Sequence, residues 1–279
     1  MSSPVVRAAA TPHSVAMKSH TSVVACLLML AGLAHAESTD IRIVTKIRLT
    51  DCCIEYQGLI TSEANEGVFE LYETASPKPT TLVIESHGGG AAAAMRLGSW
   101  MLDNELDVRV DTFCYSSCAN YVFLAGRNKL LASHASLMWH GGTTQSIQRP
   151  DLEHLLDDML SSLEVEARDA IVAEHPRDQL LELMEKSRLE LVRRETQFFA
   201  RIGVDQRITV LGQLFERELL ANDRDYTGWD LSLADLEELG VHGIKVIDDE
   251  AWQPWPAREN LLIYRIQLDR LPGFSPRLP

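Results

Sequence analysis

The stretch "TLVIESHGGGAAAAMRLGSWMLDN", residues 81–104, constrains the fold of this chain more than any other. Its first six residues are almost wholly apolar, as in a short strand of a sheet covered by helices. Its last fourteen are rich in alanine, with larger apolar residues at helical spacing, which predicts a helix over 91–104. Three consecutive glycines join the two. Glycine frees the backbone for torsions other residues avoid, and a helix start leaves N–H groups pointing outward. Such a turn suits a phosphate or an oxyanion. The GK[ST] ending of a phosphate-binding loop is missing and GxGxxG does not occur, so the turn is not a standard nucleotide cradle. His87, beside the glycines, reads as a surface or packing residue.

The same alternation surrounds this unit. Residues 41–49 and 53–60 read as strands, 62–75 as a helix with an acidic start, and 76–80 ("SPKPT") as a loop. Residues 106–113 read as a further strand, 117–126 as a helix entered from a tight turn, and 129–132 and 136–139 as short strands. Strands and helices in units this short predict an α/β fold with a parallel sheet and right-handed crossovers. From Pro150 to about Leu220 apolar residues recur at helical spacing among dense charge, which predicts packing helices. A helix over 231–241 stopped by Gly240 and a strand at "IKVID" complete the pattern, and "LPGFSPRLP" reads as a frayed end. The expected organisation is a signal segment at 1–36, an α/β core at 37–149, a helical segment at 150–220, a last helix and strand at 221–250, and a C-terminal tail at 251–279.

The first 36 residues carry only Arg7 and Lys18 as charges. They run through "TSVVACLLMLAGLAHA" to the small-x-small pattern Ala34-His35-Ala36. That is the layout of a cleaved secretory signal, with the mature chain starting near Glu37 and Met17 as an alternative start. "VVAC" (23–26) superficially fits a lipoprotein cleavage box, but cutting there would leave almost no apolar region upstream. No later run is apolar enough to span a bilayer. Losing Arg7 and Lys18 takes the formal net charge from −14 to −16. An acidic body of this size argues against nucleic acid or a polybasic membrane contact. Export leaves Cys52, Cys53, Cys114 and Cys118 in an oxidising compartment, periplasmic or extracellular, where an even count favours disulfides. Adjacent cysteines such as Cys52 and Cys53 rarely bridge each other. No CxxC pair occurs and the histidines are scattered, so no metal site is expected.

Two serines stand between two cysteines in "FCYSSCANYVFLAG" (113–126), and "MWHGG" (138–142) offers a histidine downstream. Ser117 and His140 are 23 residues apart, on either side of a helix and a hairpin-like segment. A hydroxyl, an imidazole and N–H groups at a glycine turn and a helix start are the parts of an acyl-transfer site. The competing reading is that Ser116 or Ser117 merely caps a helix.

The order of these motifs resembles the proteolytic subunit of the Clp protease and its relatives in the Clp/crotonase superfold, over residues 53–142. The shared features are "SHGG" (86–89), an alanine-rich helix, a small-residue turn holding the serine, Ala125-Gly126 beginning eight residues after Ser117, and "MWH" (138–140). The sequence also resembles exported bacterial proteins of this superfold. The resemblance implies right-handed ββα-type units with an added helical segment, Ser117 as nucleophile rather than Ser116, and His140 as base. It also implies Gly89 and Cys118 as oxyanion N–H donors, no cofactor, a peptide or protein substrate, and a homo-oligomer. An acid just before the last helix completes the family's triad. Asp225 in "NDRDY" best matches its local context, with Asp223 and Asp230 as alternatives. This sequence departs from the family where the small turn becomes Cys114-Tyr-Ser-Ser-Cys118. The expected function is an exported serine hydrolase, a peptidase of the Clp-like type. The rival readings are a non-catalytic binding or assembly module and an acyl-thioester hydrolase. A local bridge between Cys114 and Cys118 is expected, since a spacing of four reaches bridging distance when the chain turns. Pairing of either with Cys52 or Cys53, and four free thiols, are the competing outcomes.

Overall fold

A computed structural model describes residues 45–214, 226–248, 250–253, 261–271 and 273–275. The expected signal segment and both Asp223 and Asp225 lie outside them. Strand β1 (Lys46–Leu49) turns through Thr50–Cys53 into β2 (Cys53–Gln57), and the two pair antiparallel. Four more strands extend this sheet: β3 (Thr81–Glu85), β4 (Asp107–Val110), β6 (Lys129–Leu131) and β9 (Ile244–Val246), in the order β1-β2-β3-β4-β6-β9. All pairs after the first are parallel. The fold is therefore α/β with a mixed, mostly parallel sheet, and the antiparallel edge corrects the all-parallel expectation. A short turn leaves β1 no room for the crossover that a parallel pairing needs.

Side chains alternate in burial along β3, with Leu82 and Ile84 in the core and their neighbours half-buried. The helices cover this sheet. Helix α1 (Ser62–Thr74) starts at Thr61, whose hydroxyl accepts the Ala64 N–H at 3.1 Å. Helix α2 (Ala91–Asp103) follows the glycine turn, and the Asn65 amide ties α1 to it through Ala93 O at 2.9 Å. Its small residues have a packing reason. A Cβ on Gly98 would fall 2.3 Å from Tyr121 O, so α2 lies directly on the π-helical turn Cys118–Phe123.

A second, smaller layer carries the site. The predicted strand over 106–113 divides: β4 stays in the main sheet, and β5 (Phe113–Tyr115) pairs in parallel with β7 (Ser136–Met138). Single bridges continue this layer in both directions, Ile60 with Gly89, Ser86 with Cys114, and Trp139 with Trp229. Strands β2, β3 and β4 thus each run on into a second-layer segment before α1, α2 and the π-helical turn respectively. Strand β8 (Gly228–Leu231) pairs in parallel with β10 (Ile263–Ile266), inside the stretch expected to be a tail. The predicted helix over 231–241 is shorter, α6 (Leu233–Glu238), because Leu231 belongs to β8.

Residues 146–192 form a separate unit. It contains α3 (Arg149–Ser161), α4 (Val165–Glu174) and the first part of α5 (Arg177–Ile202). Leu152, Leu156, Met159, Leu180, Leu181 and Met184 make its core, each buried side chain contributing roughly 1.5–3 kcal/mol. Pro176 sets the break before α5. Among the described residues no helix is long and apolar enough to cross a membrane.

Candidate functional site

The glycine turn is held by main-chain and hydroxyl bonds on both sides. Gly88 donates its N–H to Ser86 Oγ at 3.0 Å and accepts the Ile60 N–H at 2.8 Å. Gly90 donates to Ile60 O at 3.1 Å. In this parallel bridge the intervening Gly89 N–H has no partner among the described residues. Glycine is required at 89 because φ is +151° and a Cβ would fall 2.2 Å from Ile60 O.

The serine turn sits against it. Ser116 leaves β5 in the left-handed conformation, φ +56°, costly for a residue with a Cβ. Its N–H donates to Met138 O and its carbonyl accepts the Asn120 N–H, both at 2.8 Å, so the backbone is fixed before and after the strain. Ser117 follows in helical torsions, 7% exposed, and donates its hydroxyl to Gly89 O at 2.9 Å. A Cβ on Gly88 would lie 2.8 Å from Ser116 Cβ and 3.0 Å from Ser117 N, so the two turns touch backbone to backbone. Cys118 opens the π-helical turn, where the first N–H groups lack intrahelical acceptors. Ser117, Gly89 and Cys118 are therefore brought together.

The cysteines bracket this turn. The sulfurs of Cys114 and Cys118 lie 1.98 Å apart, within disulfide distance, with Cα atoms 5.3 Å apart. Cys52 and Cys53 also approach each other, to 2.30 Å between sulfurs, contrary to the expectation for adjacent cysteines. The tight turn at Thr50–Cys53, closed by the Thr50 N–H to Cys53 O bond at 2.8 Å, brings them side by side. Neither of them reaches the 114–118 turn.

His140 is exposed, one residue beyond Trp139, whose backbone exchanges two hydrogen bonds with Trp229 at 2.8 and 2.7 Å. The next residue, Gly141, accepts the Asn120 amide at 2.9 Å, which ties the histidine loop to the helical turn that follows Ser117. His87 packs as expected, its ring 4.5 Å from Phe113 and 5.7 Å from Tyr115 between centroids. Asp225 and Asp223 lie outside the described residues. Asp230 is buried and gives both carboxylate oxygens to Arg265, Oδ2 accepting from Nη2 at 2.7 Å. Burial pushes its carboxyl up, against the pull of that guanidinium. It serves Arg265, directly opposite it in the β8–β10 ladder.

Sequence reasoning missed Asn120, Tyr121 and Glu195. Glu195, with no exposed surface, accepts hydrogen bonds from Tyr121 and Thr143. A polar Asn120 inside the apolar run "CANYVF" was the available signal; Glu195 is one acid in a helix dense with them. No group of three or more metal-ligating side chains is clustered among the described residues. No protein-family model matches this sequence, and a comparison with curated proteins finds no match either.

Proposed function

We propose that the chain is an exported serine hydrolase of the Clp/crotonase superfold, acting on peptide bonds. The observation that carries this reading is the contact of the two turns, with the Ser117 hydroxyl 2.9 Å from Gly89 O. The repeated passage of inner strands into a second layer, each before a helix, supports the same superfold. In the reaction Ser117 rotates away from Gly89 O and attacks the scissile carbonyl while His140 takes its proton. The Gly89 and Cys118 N–H groups receive the oxyanion. His140 then returns the proton to the leaving amine, and Asp225 orients the imidazole.

A second reading is favoured by the same bond. A serine hydroxyl held by a main-chain carbonyl is also a structural clasp, as a non-catalytic module of this fold would need. A fluorophosphonate probe separates the two. The hydrolase reading expects covalent labelling at Ser117, lost in Ser117→Ala and retained in Ser116→Ala. A folded wild-type protein that stays unlabelled leaves the module.

A further inference from the structure

Glu195 lies in the last part of α5, with none of its surface exposed. Its carboxylate accepts four hydrogen bonds: from the Tyr121 hydroxyl at 2.6 Å, the Thr143 hydroxyl at 2.5 Å, the Gln206 amide at 3.0 Å and the Thr143 N–H at 3.4 Å. All four donors are neutral. Burying a carboxylate costs several kcal/mol unless hydrogen bonds and charge offset it. An apolar residue of similar volume would attach α5 to the core at lower cost. What the carboxylate adds is a fixed geometry between the groups it joins.

Those groups are the two sides of the proposed site. Asn120 and Tyr121 are neighbours on the π-helical turn that begins directly after Ser117. Asn120 holds Gly141 O, and Tyr121 reaches Thr143 through Glu195. The two attachments bracket residue 142, in the loop that leaves His140. Gly142 explains why that loop has no side chain there: a Cβ would fall 2.4 Å from Thr209 Oγ1 and 3.1 Å from Glu195 Oε1. Burial, with the Glu195 charge adding to it, pushes the Tyr121 phenol well above its ordinary range, so Tyr121 stays a donor.

We propose that Glu195 is a positioning residue that clamps the His140 loop to the helical turn carrying Ser117, through Tyr121 on one side and Thr143 on the other. The inference rests on the roles given above to Ser117 and His140. The test uses the full chain as wild type, Glu195→Ala, Glu195→Gln and Gly142→Ala. Fluorophosphonate labelling is followed against probe concentration, so that the maximal rate and the half-saturating concentration separate, and hydrogen exchange is read over residues 141–145. Glu195→Ala is expected to lower the maximal rate roughly tenfold to a hundredfold, with little change in half-saturation. Glu195→Gln should recover most of it, because the Tyr121 and Thr143 hydroxyls can turn to accept from the amide. Exchange over 141–145 should quicken in Glu195→Ala alone of that pair. Wild-type labelling with an unchanged rate in Glu195→Ala overturns the clamp. If Glu195→Ala does not fold, Gly142→Ala decides: slowed labelling supports the clamp and an unaltered rate refutes it. If the wild type is not labelled, the hydrolase reading fails. Exchange then judges the clamp alone, quickened exchange in Glu195→Ala or Gly142→Ala sustaining it and unchanged exchange ending it.

Discussion

The ammonium of Lys129 ends inside the protein, where it donates to Gly126 O at 2.8 Å and His242 O at 3.0 Å. Both acceptors are neutral carbonyls, and burial pushes the amine down from its ordinary 10.5 to about 8. Between these two values the unfolded chain holds a proton that the folded chain has released, so stability contributed by this residue rises with pH across that window. Wild type measured against Lys129→Met by urea unfolding should therefore gain on the order of 2–3 kcal/mol between pH 8 and 10.5, with no trend below pH 7. A flat difference would refute the assignment. Tyr56 and Tyr121, both pushed up by burial, are common to the two proteins and cancel. Ser117, Gly89 and Cys118 were singled out through the resemblance that their two short motifs carry, and the structure brings those two turns into contact. Glu195 was not legible in the sequence, since 52 residues separate it from Thr143 and nothing local marks the meeting.

At the scale of elements, the turn from β5 into the π-helical segment combines a left-handed Ser116 with two cysteines at disulfide distance. A loop so short removes little entropy from the unfolded chain, so a bridge there adds little stability. It would instead fix the Cys118 N–H relative to Ser117. The double change Cys114→Ser with Cys118→Ser is expected to move the melting temperature by only a few degrees while slowing fluorophosphonate labelling of Ser117 several-fold. A large loss of stability with labelling unaffected would reverse that assignment, and a non-reduced digest checks that the bridge forms. Most elements were readable from periodicity, including α1, α2 and β3. The split of 106–113 was not, because a strand that changes layers keeps its apolar alternation through the crossing. Arg109 with Asp111 and Thr112 with Glu85 hold the junction by side-chain bonds that the pattern does not display. Strand β10 lies in the stretch expected to be a tail, and the apolar run "LLIYRIQL" (261–268) around it was the available signal.

At the scale of the molecule, the helical unit of residues 146–192 has a core of its own. Leu156 is 1% exposed at its centre, and Leu156→Ala should cost about 2–5 kcal/mol. The expected signature is faster hydrogen exchange across 149–161 and 177–184 with the protection of 81–85 and 107–110 unaltered. Equal losses in both sets would mean that the two cores unfold as one. The charge-dense helical spacing of this stretch was enough to show that it is helical, but not where α3, α4 and α5 break. The excess of acid over base, formally −14, was equally plain, since net charge needs no fold to be counted.

The bridge between Ile60 and Gly89 carries a further consequence. Ile60 holds the glycine turn through its own N–H and its carbonyl, to Gly88 O and from Gly90 N–H. The length of chain from the end of β2 to Thr61 is therefore set by the needs of Ser117, 57 residues away. An insertion in 58–61 would slide Ile60 along the glycines and move the Gly89 amide, whereas the same insertion in 76–78 would meet only exposed residues. As such sequences diverge, the first loop should hold its length while the second drifts, and a proline at 60 should be found in none that keeps a working serine.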